Sequence, residues 1–158
     1  MEINLFDLKR IINEEIHRII EQAGNDCPAA TQDLELNTRN RDAAIKSDYI
    51  QYGPLNLADK EYWVRAADHW NTTPDVAMRS RCANCVAFDI SPRMLECMPG
   101  PVSEPLADEA GYLGYCWMHN FKCHSARTCY TWAAGGPISE DEVSLEWQQR
   151  QSGKEEQR

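Results

Sequence analysis

Six of the seven cysteines fall within residues 82–132, at Cys82, Cys85, Cys97, Cys116, Cys123 and Cys129. A thiolate is the strongest soft metal ligand that a protein possesses. Six thiols in so short a span call for a metal, for disulfides, or for a reducing environment that leaves them idle. The same stretch holds half of the aromatic residues, including Phe88, Tyr115, Trp117 and Trp132. The expected fold class is therefore small α plus irregular, with helices at both ends around a loop-rich metal-binding centre with short strands. A chain of 158 residues has room for one domain with a modest core.

The N-terminus, MEINLFDLKRIINEE, carries Glu2 and Asp7 before and among its apolar residues. A secretory signal would show a basic start and then an uninterrupted apolar stretch. No signal is expected, and the default location is the cytoplasm or a virion assembled there. Cytosolic thiols are mostly kept reduced, which favours a metal over disulfides. No apolar run approaches the roughly 18 residues of a membrane span, so no membrane is expected as a partner. Net charge is −9; residues 79–132 balance, the first 78 residues carry −6 and the last 26 carry −3. Phosphate backbones are bound through Lys and Arg, so nucleic acid is not an expected partner either.

Four segments follow from the patterning. Residues 1–24 form an amphipathic N-terminal helix, with Leu5, Leu8, Ile12, Ile16, Ile19 and Ala23 at steps of three and four. Its isoleucine stripe suits core packing, or docking of a protein partner. His17 sits among charges and is expected to be solvated. Residues 25–78 are a connecting segment, irregular to about residue 56, with Cys27 read as an isolated free thiol whose replacement is silent. A Trp-bearing helix then opens near Asn56 and places Trp63, Ala66, Ala67 and Trp70 on one face. Thr73-Pro74 gives an N-cap and a first-turn proline for a short helix reaching Met78. Residues 79–136 are the cysteine-rich module. Residues 137–158 form an acidic C-terminal helix and tail, opened by a capping box of Ser139 and Glu142.

Cys82 and Cys85 make a C-x-x-C, which lets two thiolates converge on one metal ion or on one iron–sulfur cube. Zinc sites usually recruit two such short-spaced pairs. Here the next cysteines, Cys97 and Cys116, stand alone. One tight pair with two dispersed cysteines suits a [4Fe–4S] cluster, whose four irons need separate approaches. Zinc remains an alternative, since Cys116 and His119 are C-x-x-H and could complete a Cys3His site with Cys82 and Cys85. Cys123 and Cys129 could replace single members of either ligand set, join in a short-loop disulfide, or serve as buried small hydrophobes.

Three segments resemble the high-potential iron–sulfur proteins. Cys82-Ala-Asn-Cys85 followed by Val86-Ala-Phe88 is similar to the opening of that family's cluster region. Cys97-Met-Pro-Gly100-Pro-Val102 is similar to its third-cysteine segment, and Gly114-Tyr115-Cys116-Trp117 to its fourth, in the same order. The resemblance implies a [4Fe–4S] cube held by Cys82, Cys85, Cys97 and Cys116, packed in aromatic side chains and passing one electron. It covers about residues 78–118. The long gap between Cys97 and Cys116, the two further cysteines and the terminal helices depart from that pattern. The chain also resembles, in general character, small cysteine-rich proteins of tailed bacteriophages, which implies a virion component whose metal staples the fold.

Two functions compete on these grounds: an electron carrier, and a structural or assembly protein closed by a cluster or a zinc ion. Catalysis is the less favoured class. The sequence has no Ser/His/Asp arrangement, no phosphate loop and no paired-carboxylate motif, and His69, His119 and His124 lack recognisable catalytic neighbours.

Overall fold

The structure, a computed structural model, describes residues 4–24, 27–54, 59–98 and 111–156; for 17–24 and 153–156 it describes the helix alone, without side chains. Helices predominate, and a three-stranded antiparallel sheet lies at the centre.

The first helix, α1, spans Leu5–Gly24, and the Asn4 side chain accepts from Asp7 N at 2.8 Å to cap it. Leu5, Phe6, Leu8, Ile11, Ile12 and Ile16 are exposed along it. The expectations for His17, Ile19 and Ala23 concern side chains outside the described residues. The described part of the expected irregular connector, residues 27–54, is largely helical. It contains α2 (Ala29–Gln32) and α3 (Leu34–Lys46), the latter capped by Asp33, which accepts from Leu36 N at 3.1 Å. The polar side chains of α3 explain why no apolar stripe marks it. Buried Asn37 accepts from Lys122 N at 2.7 Å, and Asn40 donates to Asn120 O at 2.7 Å, so α3 is fixed by amide hydrogen bonds.

The Trp-bearing helix is α4 (Lys60–His69), capped by Asp59 rather than opened at Asn56, which lies outside the described residues. Tyr62, Trp63, Ala66 and Ala67 bury one face against Ala77 of α5 (Pro74–Ala77), whose Thr73 cap and first-turn proline are as expected. A 3-10 turn over Cys82–Asn84 leads into β1 (Phe88–Asp89). Next comes α6 (Pro92–Cys97), capped by Ser91, which the sequence reading did not anticipate. A hairpin of β2 (Leu113–Cys116) and β3 (Phe121–His124) completes the sheet in the order β1-β2-β3.

The last helix, α7 (Asp141–Glu156), starts later than a Ser139 cap would place it. Ile138 is held extended beside β1, donating to Phe88 O at 2.7 Å and accepting from Ile90 N at 2.9 Å, and the helix can turn only after that pairing ends. A buried polar network then anchors α7. Asp89 is fully buried and accepts from Ser91 N and Trp117 Nε1, each at 2.9 Å, and from the Ser144 hydroxyl. Arg93, also buried, donates to Ser144 at 2.7 Å and to Gln148. A buried charge is tolerated when hydrogen bonds surround it in this way.

Candidate metal centre

Cys82 and Cys85 are presented by the 3-10 turn. Arg81 N donates to Asn84 Oδ1 at 3.1 Å, and Asn84 Nδ2 donates to Arg79 O at 2.7 Å, so the turn is tied at both ends. It is also hydrogen-bonded to the chain that follows β3. Cys82 N donates to Arg127 O at 2.8 Å and Ala83 N to Ser125 O at 3.0 Å. Beyond Cys129 the chain returns over the turn. Val86 N donates to Ala133 O at 2.8 Å, and Gly136 N donates to Asn84 O at 3.1 Å. Gly136 packs so closely that a Cβ there would lie 1.7 Å from Cys85 O.

The hairpin brings in Cys116 and Cys123. Cys116 is opposite Phe121 and Phe88, while Cys123 is opposite Gly114. Side chains alternate across a strand, so Cys116 and Cys123 share one face as diagonal neighbours. Cys129 joins from the next loop, where its sulfur lies 3.1 Å from Thr131 Oγ1. Cys82, Cys85, Cys116, Cys123 and Cys129 are all free thiols, and all but the half-buried Cys116 are buried.

The thiols of Cys85, Cys116, Cys123 and Cys129 are perturbed by burial and by their neighbours. Burial raises the Cys85 thiol; the backbone at Ala133 and Ala87 opposes this, and the neighbouring Cys116 and Cys82 add to it. Burial pushes Cys129 up to about 12, against the opposing hydrogen bond to Thr131. Cys123 is pushed well above its ordinary value, first by burial and then by hydrogen bonding to Cys116 and Cys82. Cys116 moves the other way. The hydrogen bond from Cys123 favours its thiolate, burial opposes it, and the backbone at His119 and Met118 reinforces it.

One expected ligand is elsewhere. Cys97 is bonded to Cys27 in a disulfide with Cα atoms 5.6 Å apart, joining the end of α6 to the residue pair before α2. A sulfur in a disulfide is not a thiolate, so the set Cys82, Cys85, Cys97 and Cys116 is corrected at Cys97, and Cys27 is not a free thiol. Seventy residues separate the pair, and no local pattern signals their approach. The expected third-cysteine segment beyond Met98 lies outside the described residues. Cys129, whose role spacing alone left open, is a buried free thiol.

His119 is close to the thiols but engaged: its Nε2 lies 2.7 Å from Thr131 Oγ1, and burial lowers its pKa. His69 stacks on Tyr130 with ring centroids 4.2 Å apart, and buried His124 accepts from Ala126 N through Nδ1. Trp132 covers the turn, donating from Nε1 to Arg81 O at 2.9 Å and to Asn84 Oδ1 at 3.0 Å. Among the described residues no three His, Cys, Asp or Glu side chains are already arranged around a single metal ion, although the thiols lie within hydrogen-bonding and electrostatic reach of one another. Among the described residues no helix is long and apolar enough to cross a membrane. No family model matches the chain, and no curated protein and no solved structure is significantly similar to it.

Proposed function

We propose that the chain is an iron–sulfur protein in which Cys82, Cys85, Cys116 and Cys129 hold a [4Fe–4S] cluster. The observation that carries this reading is that four free cysteines from three chain segments lie near enough to influence one another electrostatically. An all-sulfur donor set selects iron–sulfur clusters or zinc over hard cations. Peptide groups face three of the sulfurs: Ala87 and Ala133 at Cys85, Met118 and His119 at Cys116, and Thr131 at Cys129. Hydrogen bonds to sulfur and exclusion of solvent are the means by which a protein sets the potential of such a centre.

When bound, the cluster would supply one-electron oxidation and reduction. The protein's part would be to hold the four sulfurs, to offer N–H donors to them, and to keep water away with Phe88, Phe121 and Trp132. The resemblance to high-potential iron–sulfur proteins retains free thiols in two of its three segments, at Cys82/Cys85 and at Cys116, while Cys97 of the other is in a disulfide. A second reading is a fold staple in a structural or virion protein, with the cluster or a zinc ion as the closure. It is favoured by the position of the thiols, at the junction of the turn, the hairpin and the Cys129 loop. For partners, we propose that α1 docks on another protein through its exposed Leu5, Phe6, Leu8, Ile12 and Ile16.

The test is iron, acid-labile sulfide and zinc content of protein purified without oxygen, followed by redox titration. Four irons and four sulfides per chain with reversible cycling would support the carrier. A cluster whose loss on oxidation unfolds the chain would support the staple. Zinc without sulfide would overturn the cluster.

A further inference from the structure

We propose that a cleft between α2, α3, the hairpin and α7 binds a neutral, hydroxyl-rich small molecule of the monosaccharide class. The cleft has a volume of about 450 Å³, within the roughly 300–1,000 Å³ usual for small-molecule sites. The inference uses none of the thiols of the candidate metal centre and stands whether or not they hold a cluster.

The walls follow from helical periodicity. Leu36 and Asn40 stand one turn apart on α3, and Gln148, Gln151 and Ser152 share one face of α7. Pro28, Ala29 and Ala30 join Leu36 to make one side apolar. The Cys27–Cys97 disulfide holds that side to α6, and Gln32 Nε2 adds a hydrogen bond to Cys97 O at 2.8 Å. The site is therefore formed before any ligand arrives.

Three carboxamides at the cleft are each tied by one end. Asn40 Nδ2 donates to Asn120 O at 2.7 Å, and Gln151 Nε2 donates to Trp117 O at 2.7 Å. Asn120 Oδ1 accepts from the Tyr115 hydroxyl at 3.4 Å. The opposite ends, Asn40 Oδ1, Gln151 Oε1 and Asn120 Nδ2, have no hydrogen-bond partner among the described residues, and none of the three is sealed from solvent. A side chain already fixed at one end loses little freedom when the other end binds.

The cleft thus offers two acceptors and one donor on pre-set side chains, beside an apolar side. A hydroxyl both donates and accepts, and a sugar carries several of them around a ring whose C–H groups suit Pro28 and Leu36. Among the described residues no Lys, Arg, His, Asp or Glu borders the cleft. A charged ligand would lose hydration there without gaining a counter-charge, so neutral sugars are favoured over sugar acids.

The test is saturation-transfer NMR and calorimetry on the full chain with its disulfide intact. The probes are glucose, galactose, mannose and N-acetylglucosamine, with glucuronate and galacturonate as charged counterparts. At least one neutral sugar should bind with millimolar affinity, and its uronate about tenfold more weakly. Gln151→Ala, which removes one hydrogen bond, should weaken binding about tenfold. Ala29→Trp, which sets a ring in the cleft from an exposed position of α2, should abolish binding at an unchanged melting temperature. Binding of none of the neutral sugars to wild type would overturn the proposal. Equal affinity for the uronates would overturn it too, as would affinity left unchanged by both substitutions. If Ala29→Trp does not fold, Gln151→Ala decides alone.

Discussion

The indole N–H of Trp117 donates to the carboxylate of Asp89 at 2.9 Å, inside the protein and one residue past the thiol of Cys116. Asp89 also receives the Ser144 hydroxyl of α7, so a single carboxylate joins the thiol-bearing hairpin to the C-terminal helix. Replacing it with alanine leaves those donors buried without an acceptor. Asp89→Ala should lose about 3 kcal/mol in urea unfolding, and Trp117→Phe, which removes one bond of the set, about 1 kcal/mol.

The Cys27–Cys97 disulfide closes a loop of 70 residues. Such a cross-link stabilises chiefly by restricting the unfolded chain, by about 2–4 kcal/mol. Cys27→Ser and Cys97→Ser should each lower the melting temperature to a similar degree, and a reductant should do the same to wild type. Metal content measured on the same samples should not change. Equal loss of iron in Cys97→Ser would return Cys97 to the ligand set.

Gly136 tests the wrap over the cysteine turn. A methyl group there would meet Cys85 O at 1.7 Å, a backbone atom that cannot swing aside. Gly136→Ala should displace the loop carrying Cys129 and Trp132 and cost about 1–3 kcal/mol. Metal should leave the variant faster than wild type in a chelator challenge.

The buried thiols give the metal-free, reduced chain an alkaline limit. Cys129 rises from 9.0 to about 12, and Cys85 and Cys123 shift in the same direction. A raised value in the folded state means that the native chain holds protons which the unfolded chain has lost. Stability is therefore full below pH 9 and falls as pH climbs toward 12, by about 1.4 kcal/mol per unit for each such group. His119 works at the other end. Its lowered value makes stability fall as pH drops below about 6.5. Denaturant midpoints across pH should show both limbs, and metal loading should shrink the alkaline one, because the ligated sulfurs of Cys85 and Cys129 are already deprotonated.

Much of the architecture was written in local signals. The 3.6-residue recurrence of α1, the Trp63/Ala66/Ala67 face of α4 and the Thr73-Pro74 cap of α5 each needed only near neighbours. What was illegible depended on distant ones. Asn37 and Asn40 look like surface residues of a poor helix until the backbone of Lys122 and Asn120 arrives to meet them. Ser139 is a sound cap whose helix is delayed because Ile138 is claimed by β1. Within the candidate site, spacing drew attention to Cys82, Cys85 and Cys116, which the structure leaves as free thiols. The engagement of Cys97 was not legible, because its disulfide partner Cys27 lies 70 residues earlier, in the connector before α2.

One disulfide beside five free thiols makes the order of assembly matter. A new chain carries seven interchangeable sulfurs, and thiolates exchange with disulfides at every encounter. If the proposed centre loads first, four sulfurs are ligated and Cys123 is buried, which leaves Cys27 and Cys97 to find each other. If oxidation comes first, any of the seven can be captured by the wrong partner. Yield of correctly paired chain should then depend on whether iron is present before oxygen.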